Sequence, residues 1–179
     1  MYPRIAWLLV NCLMVAALLL VSCGQGVTKE EQEKKTPSRI SLRVGETART
    51  SKITVTVSDA IIADSYEYYS QAEGKAITKE APVDISFLIV TVEIENVGTT
   101  EESGGTRYLT AFDNQSGHYR IITPYLGEDR LKLQPIIKSG EKVKGKVLFS
   151  MPKGATGLKI AYDFSSYNTN LALAEWEIE

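Results

Sequence analysis

The chain has 179 residues, with 20 lysines and arginines against 22 aspartates and glutamates, and its formal net charge is −2. This balance lacks the basic excess of nucleic-acid-binding domains, so we expect no nucleic-acid partner. Both cysteines, Cys12 and Cys23, lie near the N-terminus, and residues 24–179 contain none. A domain built from those residues cannot use a disulfide, a zinc-thiolate site or a cysteine nucleophile.

An apolar run begins near Ile5 and ends in Leu20-Val21-Ser22-Cys23. The run has roughly 16 residues, fewer than the ~20 that cross a bilayer, and Arg4 supplies a positive charge before it. A leucine, a β-branched residue, a small residue and a cysteine form the pattern that the lipoprotein-processing peptidase recognises. The sequence therefore resembles a bacterial or archaeal lipoprotein precursor.

This resemblance implies cleavage between Ser22 and Cys23, with residues 1–22 as the signal peptide. Cys23 would carry a diacylglyceryl thioether and, in bacteria, usually an N-acyl chain such as palmitate. Two or more chains on one residue give a lasting membrane anchor, whereas one chain binds only reversibly. We expect the protein on the extracytoplasmic side, at the cell surface or in the periplasm. The alternative is an uncleaved membrane helix, which the interruption at Asn11 and Cys12 disfavours.

Residues 23–39 begin with the lipidated cysteine and read CGQGVTKEEQEKKTPSR. Almost none of these side chains is apolar, and such a composition cannot offset the conformational entropy lost on ordering. The segment is predicted to be a flexible charged tether between the membrane and a domain of residues 40–179. Its root-mean-square reach is on the order of 20 Å.

From Ile40 onward, apolar residues recur at every second position, which is the period of a half-buried strand. Strands are predicted around 40–44, 53–57 and 60–69, followed by a polar loop over 73–82. Residues 85–96 have the strongest pattern, because their centre is apolar on both faces, as in a central strand. A polar loop is predicted over 101–105.

The second part of the chain continues this pattern. Residues 108–112 and 118–122 flank a connection of five residues and predict a β-hairpin. Residues 126–135 are predicted to be irregular or a short strand, and 139–141 a turn. Further strands are expected over 142–151, 158–164 and 171–178. About seven to nine short strands, with turn signals between them, predict an all-β fold of the antiparallel β-sandwich class.

Three segments carry a more specific resemblance: Ser86-Phe87-Leu88-Ile89-Val90-Thr91-Val92-Glu93-Ile94-Glu95-Asn96-Val97-Gly98, the run Ser139–Phe149, and the run Met151–Ile160. Their order resembles the immunoglobulin-like extracellular domains of unknown function related to the mycobacterial secreted immunoprotective antigen. The resemblance covers roughly residues 41–165. It implies an immunoglobulin-like β-sandwich, an extracytoplasmic location and frequent lipid anchoring. It supplies no catalytic residue, because none is established for the group.

Several polar residues are candidates for catalytic or metal-binding groups. His118, the single histidine, lies beside a turn glycine, and no nucleophile-elbow sequence accompanies it, so a surface hairpin position is expected. Asp113, Asn114, Glu128 and Asp129 could offer oxygen ligands to calcium, but they lack the spacing of a calcium loop. Glu93 and Glu95 are expected on the solvent side of one strand rather than across a catalytic cleft. We expect no metal and no cofactor.

Aromatic residues are the best candidates for a binding surface, because they combine a large contact area with a polar group. The candidates are Tyr66, Tyr68, Tyr69, Tyr125 and Trp176. For Tyr66 and Tyr68, which share a strand face, packing into the core is the favoured alternative.

Two surface features have a weaker functional interpretation. Lys142, Lys144 and Lys146 form a basic stripe that could touch anionic headgroups or a cell-wall polymer, although a solvated strand face is more common. Asn114-Gln115-Ser116 matches a glycosylation acceptor on an exposed turn.

The sequence thus predicts a lipid-anchored β-sandwich that is not an enzyme and acts as a binding or accessory module. Its partners would be the membrane, through the lipid on Cys23, and another envelope protein or polymer. The alternatives are a small cell-envelope hydrolase and a carrier of an apolar ligand, which would need a hollow core.

Overall fold

The computed structural model describes residues 38–70, 72–122 and 129–179. The predicted signal peptide and lipidation site, with Ser22 and Cys23, lie outside the described residues, as does the predicted tether up to residue 37. Tyr125 and Glu128 also lie outside them.

Thirteen strands are present in the described part of the chain, together with two short 3₁₀ turns at Thr106–Tyr108 and Ser165–Tyr167. The strands are β1 Ser38–Arg43, β2 Thr47–Arg49, β3 Ile53–Ala63, β4 Ser65–Ser70, β5 Lys75–Glu80, β6 Ile85–Asn96, β7 Glu102–Ser103, β8 Leu109–Phe112, β9 His118–Tyr119, β10 Ile136–Ile137, β11 Lys142–Pro152, β12 Lys159–Asp163 and β13 Leu171–Glu177.

Nine of these strands form two principal sheets. The first sheet has the order β1-β13-β12-β8-β9 and the second has the order β11-β6-β3-β2. Their inner faces meet in one hydrophobic core, to which β6 contributes Val90 and Val92 and β13 contributes Trp176. Alternating apolar residues place every second side chain in this core, which is why the two-residue period predicted the fold. The predicted β-sandwich class is confirmed, with two sheets of five and four strands.

Strand β1 departs from the antiparallel prediction, because it pairs in parallel with β13. It also begins at Ser38, two residues before the predicted start of the domain. After β1 the chain turns at Gly45, whose φ of 95° favours glycine, and enters the second sheet as β2. The chain therefore passes from the first sheet to the second between β1 and β2. Strand β1 lies at the edge of the first sheet and runs parallel to β13.

Two predicted polar loops have regular or packed structure instead. Residues 75–80 form β5, which pairs with β4 in a separate two-stranded hairpin. Residues 102–103 form β7 and pair with β10, and Gly105 is buried against the backbone of residues 132–133. A side chain at position 105 would overlap the Lys132 carbonyl, so this loop is closely packed. The prediction of loops is wrong here, because it relied on side-chain polarity, whereas backbone hydrogen bonds hold both segments in place.

Asn96, at the end of β6, is a buried polar residue whose amide has three partners. Its Nδ2 donates to the carbonyls of Thr100 at 2.7 Å and Ile137 at 2.8 Å, and its Oδ1 accepts from the Gly98 amide at 2.9 Å. One side chain thus joins the turn after β6 to β10. This arrangement explains the structural role of the Asn-Val-Gly sequence.

A cluster of buried tyrosines lies in the core beside β12. The Tyr167 hydroxyl donates to the Ser103 carbonyl and therefore accepts from the Tyr162 hydroxyl, 2.9 Å away. Burial raises the pKa of both phenols, so they remain protonated donors at physiological pH. Tyr162 lies in the predicted strand over 158–164, but this chain of hydrogen bonds has no signal in the sequence.

Candidate functional site

The hairpin of β4 and β5 lies over the outer face of the second sheet and carries the predicted tyrosines. Tyr66 is buried, with its ring centre 4.9 Å from that of Phe87 in an edge-to-face arrangement and 5.9 Å from that of Tyr68. These rings form a second apolar cluster with Leu148 and Ile89. The packing alternative for Tyr66 and Tyr68 is therefore the one that the structure shows.

Tyr69 belongs to the opposite face of the same hairpin and is 56% exposed. Three other large apolar side chains in this stretch of chain are exposed: Ile61 and Ile62 at the end of β3, and Val83 before β6, which is 87% exposed. We call Ile61, Ile62, Tyr69 and Val83 the hairpin surface. Ile61 and Ile62 are consecutive on β3, so their side chains point to opposite faces of the sheet, and the four residues mark the region around the hairpin. Exposed apolar side chains that gather in one region are candidates for contact with other molecules. The aliphatic members were not predicted as surface residues, because the sequence does not show which side chains of a strand or loop remain uncovered.

Trp176 belongs to the core and not to a binding surface. Its side chain is fully buried between the sheets, and its Nε1–H donates to the Glu46 carbonyl at 2.9 Å. Trp176 alternates with Ala174, which is also buried, so the strand period already placed it on the inner face.

His118 lies on the short edge strand β9 and is exposed, as expected for a surface hairpin position. Its ring centre is 6.1 Å from that of Phe112. The neighbouring carboxylate of Asp113 is engaged elsewhere: it accepts from the amides of Gln115 and Gly117 and from the Tyr119 hydroxyl at 2.6 Å. Asp113 thus closes the five-residue turn of the hairpin.

The hydrogen bonds of Asp113 set the protonation of this turn. The Tyr119 hydroxyl, followed by the Gly117 amide, lowers the pKa of Asp113. Burial, together with Asp113, raises the pKa of Tyr119 to about 12. The phenol therefore stays protonated and the carboxylate ionised over the physiological range.

Asp113, Asn114 and Asp129, the calcium candidates among the described residues, belong to no cluster of metal ligands. Asn114 and Asp129 are both exposed. Within the ranges that the structure describes, no group of three or more histidines, cysteines, aspartates and glutamates is arranged to hold a metal ion. Asn114 and Ser116 lie on the exposed turn, where a glycosylation acceptor would be accessible.

The lysine stripe faces solvent along β11, as predicted, and is partly neutralised. The Lys142 Nζ lies 3.3 Å from Glu93 and 3.4 Å from Glu95, and these carboxylates raise the pKa of Lys142. Lys146 is 3.9 Å from Asp129. Glu93 and Glu95 lie on one strand face, so they serve in ion pairs and do not face each other across a cleft.

A polar cleft of about 610 Å³ opens at the end of the sandwich where β1 begins, and the sequence analysis did not anticipate it. The turn between β2 and β3 forms one wall, and the loop before β13 forms the other. The lining residues are Ser38, Ile40, Arg49, Thr50, Ser51, Asn168, Thr169, Asn170 and Leu171. The run Asn168-Thr169-Asn170 was a detectable signal of a polar turn, but only the fold brings it beside residues 49–51.

None of the helical segments among the described residues is long and apolar enough to cross a bilayer.

These features define a β-sandwich of two sheets with an added hairpin on one face. Residues 42–171 match the model of a protein family described as Domain of unknown function (DUF4352), and the chain belongs to that family. A comparison with curated proteins returned no match.

Solved structures with a similar fold come from several bacteria. A Bacillus subtilis protein, ycdA, described as a candidate lipoprotein, is 16% identical with a TM-score of 0.57; the alignment covers 74% of this chain but only 38% of that one. An uncharacterised β-sandwich protein from Clostridium difficile is 12% identical, with a TM-score of 0.53 and coverage of 83% and 100%. The secreted protein MPT63 of Mycobacterium tuberculosis is 18% identical, with a TM-score of 0.50 and coverage of 80% and 100%. At these identities the similarity shows the fold.

Proposed function

We propose that this chain is a lipid-anchored, extracytoplasmic β-sandwich that acts as a non-catalytic binding module. The Leu20–Cys23 motif supports the anchor. The fold is shared with a candidate lipoprotein and a secreted protein, which supports the location. The binding role rests on the surface described next.

The exposed apolar character of the hairpin surface is the observation that carries the binding role. Ile61 and Val83 lie toward the end of the second sheet where β3 finishes and β6 begins. Ser38, from which the chain leads back to the anchor, lies beside the residues that precede β3. About ten residues of β3 separate the two ends, a distance on the order of 30 Å. The anchor would therefore leave the hairpin surface free to meet another envelope protein or polymer.

The polar groups of the domain support binding rather than catalysis. A catalytic histidine needs a partner that orients its ring, and the adjacent Asp113 carboxylate is held by Tyr119 and two backbone amides. Glycoside hydrolysis needs two carboxylates across a substrate, whereas Glu93 and Glu95 share one lysine. The small-hydrolase alternative gains no specific support from these contacts.

The apolar-carrier alternative needs free space between the sheets. The inner faces are instead filled by large buried side chains, including Trp176, Tyr162 and Phe149. A core packed in this way offers no room for an apolar ligand without displacement of those rings. We therefore favour a surface contact over internal carriage.

The anchor is tested by intact mass and N-terminal analysis of the mature protein from native membranes. We expect a chain that begins at Cys23 and carries acyl mass, and a Cys23→Ala variant that remains unprocessed or is released. A mature protein without lipid mass would contradict the anchor.

The binding surface is tested with a photo-crosslinking amino acid at position 69 in native membranes. The matched control carries the same group at Asp163, an exposed position on the first sheet. We expect a crosslinked product at position 69 that is lost with Ile61→Ser and absent at position 163. Equal labelling at both positions, or none at 69, would contradict a partner on the hairpin surface.

A further inference from the structure

We propose that the end of the sandwich beside Ser38 rests on the phospholipid bilayer through three exposed apolar side chains: Val97, Leu133 and Ile136. We call these three residues the basal patch. The inference rests on the lipid anchor of the proposed function. It adds a second, non-covalent contact that orients the domain on the membrane.

The fold brings the basal patch together from two loops. Ile136 pairs with Ser103 through β10 and β7, and the Leu133 carbonyl accepts from the Arg107 amide at 3.0 Å. The buried amide of Asn96 donates to the carbonyls of Thr100 and Ile137 and so joins the loop of Val97 to the segment of Ile136. The patch therefore lies on backbone that is fixed by hydrogen bonds.

The basal patch lies at the end from which the chain leads to the anchor. The amides of Val97 and Gly98 donate to the Lys52 carbonyl at 2.8 and 2.9 Å. Lys52 continues the turn of Thr50 and Ser51, which lines the cleft together with Ser38. Val97 and Ser38 therefore lie at the same end of the sandwich, on either side of this cleft.

The chain between the anchor and the domain is short. Cys23 and Ser38 are 15 positions apart in the sequence, and a segment of that length and composition has a root-mean-square reach on the order of 20 Å. A lipid on Cys23 would therefore hold the basal patch close to the headgroups. Tethering of this kind gives a high effective concentration, so that a weak contact can be occupied.

The chemistry of the patch suits the membrane interface. Val97 is 40% exposed, Leu133 64% and Ile136 70%. Lys132 and Lys138 stand on either side of the Leu133–Ile136 segment, are exposed, and form no ion pair with another described residue. Aliphatic side chains enter the boundary between headgroups and acyl chains, while lysine ammonium groups reach the phosphates. Three side chains are too few for stable binding alone, so the contact depends on the anchor.

The test uses the mature lipidated protein in vesicles of phosphatidylcholine and phosphatidylglycerol. Because residues 24–179 contain no cysteine, Ile136→Cys introduces a single reactive thiol for an environment-sensitive fluorophore. The matched control is Val83→Cys, an exposed valine at the opposite end of the sandwich. Doxyl-labelled lipids and aqueous iodide then report whether each fluorophore meets lipid or water.

We expect the fluorophore at 136 to shift to the blue, to lose most of its emission to doxyl lipids and to be shielded from iodide. The fluorophore at 83 should show the reverse. In a third protein, labelled through Val97→Cys, the changes Leu133→Ser and Ile136→Ser should abolish quenching by lipid while an unchanged melting temperature confirms folding.

The outcomes separate this inference from the anchor. If intact mass confirms lipid on Cys23 but position 136 remains as open to iodide as position 83, the basal contact is refuted and the anchor stands. Protection of position 136 from both quenchers would indicate a second copy of the chain in place of lipid, and would also refute the contact. Absence of lipid mass would overturn both proposals.

Discussion

Strands β6 and β11 pair over eleven residues, yet the outer face that they share has two contrasting halves. Toward the start of β6 the outward side chains are apolar, with Phe87 and Ile89 beside Leu148, and the tyrosines of the β4–β5 hairpin cover them. We call this the covered half. Toward the end of β6 the outward side chains are the charged residues Glu93, Glu95, Lys142, Lys144 and Lys146, which we call the charged half.

The contrast shows that the character of the outward residues decides where the chain adds a third layer. Apolar side chains on the covered half lose contact with water only if another element packs on them, and burial of that kind is the larger energetic term. Charged side chains on the other half remain hydrated and gain little from a cover. The same two strands therefore depend on burial at one end and on ion pairs at the other.

The largest expected loss of stability comes from a substitution in the covered half. Phe87→Ala removes a buried ring that touches Tyr66, and large-to-small changes of this kind cost about 3–5 kcal/mol in the free energy of unfolding. Glu93→Ala is the matched control on the same strand and the same face, and we expect only a small change there. Urea denaturation measures both. Similar losses for the two variants would contradict the division of this face into two halves.

A smaller effect is expected on the inner side of β11, where residues 130–131 cross the strand. Gly145 on β11 faces the backbone of Arg130 and Leu131, and the Leu131 amide donates to the Lys146 carbonyl at 2.9 Å. A Cβ at position 145 would overlap the nitrogen of Leu131, so Gly145→Ala should displace the crossing segment at a cost of about 1–3 kcal/mol. Lys144→Ala, one residue earlier, is the control with an exposed side chain. Equal stability of the two variants would show that the segment can move aside freely.

The contrast also explains what the sequence could predict. The bounds of β6 were predicted correctly, because apolar residues on both faces followed by strict alternation leave few other structures. The solvent-facing lysines of β11 were also predicted correctly, because they alternate with apolar residues and glycine. Strand β5 was missed, because Lys75-Ala76-Ile77-Thr78-Lys79-Glu80 has little apolar pattern and is a strand only through its pairing with β4.

The candidate site was harder to predict, because it depends on contacts between distant segments. Tyr69 is exposed, as a binding-surface candidate must be, whereas the prediction of a surface position for Trp176 is wrong, because its alternation with Ala174 indicates the core. Ile61 and Ile62 lie in a predicted strand, and only the structure shows that both are 50% exposed. The local sequence of a strand does not show which of its side chains a distant element, such as the β4–β5 hairpin, will cover.

The third prediction concerns the pH dependence of stability at Asp64, the residue directly before the β4–β5 hairpin. Asp64 lies between β3 and β4, and its carboxylate accepts from Lys153 at 3.0 Å and from Ser86 at 3.1 Å. Lys153, and then Ser86, lowers the pKa of Asp64. A carboxyl whose pKa is lower in the folded state stabilises the fold above its ordinary pKa and loses that contribution as the pH falls through the folded value.

We therefore expect Asp64→Asn to have a lower urea midpoint than the wild type at neutral pH, and the two midpoints to converge in acid. Asp59→Asn is the control, an exposed aspartate on β3. A difference between wild type and Asp64→Asn that persists unchanged at low pH would mean that the carboxylate does not hold the hairpin.

The smallest expected effect concerns the ion pairs of the charged half and their dependence on salt. Lys142 is exposed, and Glu93 and Glu95 raise its pKa, so its contribution is complete at neutral pH and is lost as the pH rises through the folded pKa. The Debye length falls from about 10 Å at 0.1 M salt to about 3 Å at 1 M, which screens such a pair. We expect the urea midpoint of Lys142→Met to lie slightly below that of the wild type in dilute buffer and to equal it in 1 M sodium chloride.

The deficit of Phe87→Ala should remain at both salt concentrations, because burial of a ring does not depend on screening. If instead the Lys142→Met deficit survived in high salt, the methylene chain of the lysine would be the stabilising group, and the charged half would depend on apolar contact just as the covered half does.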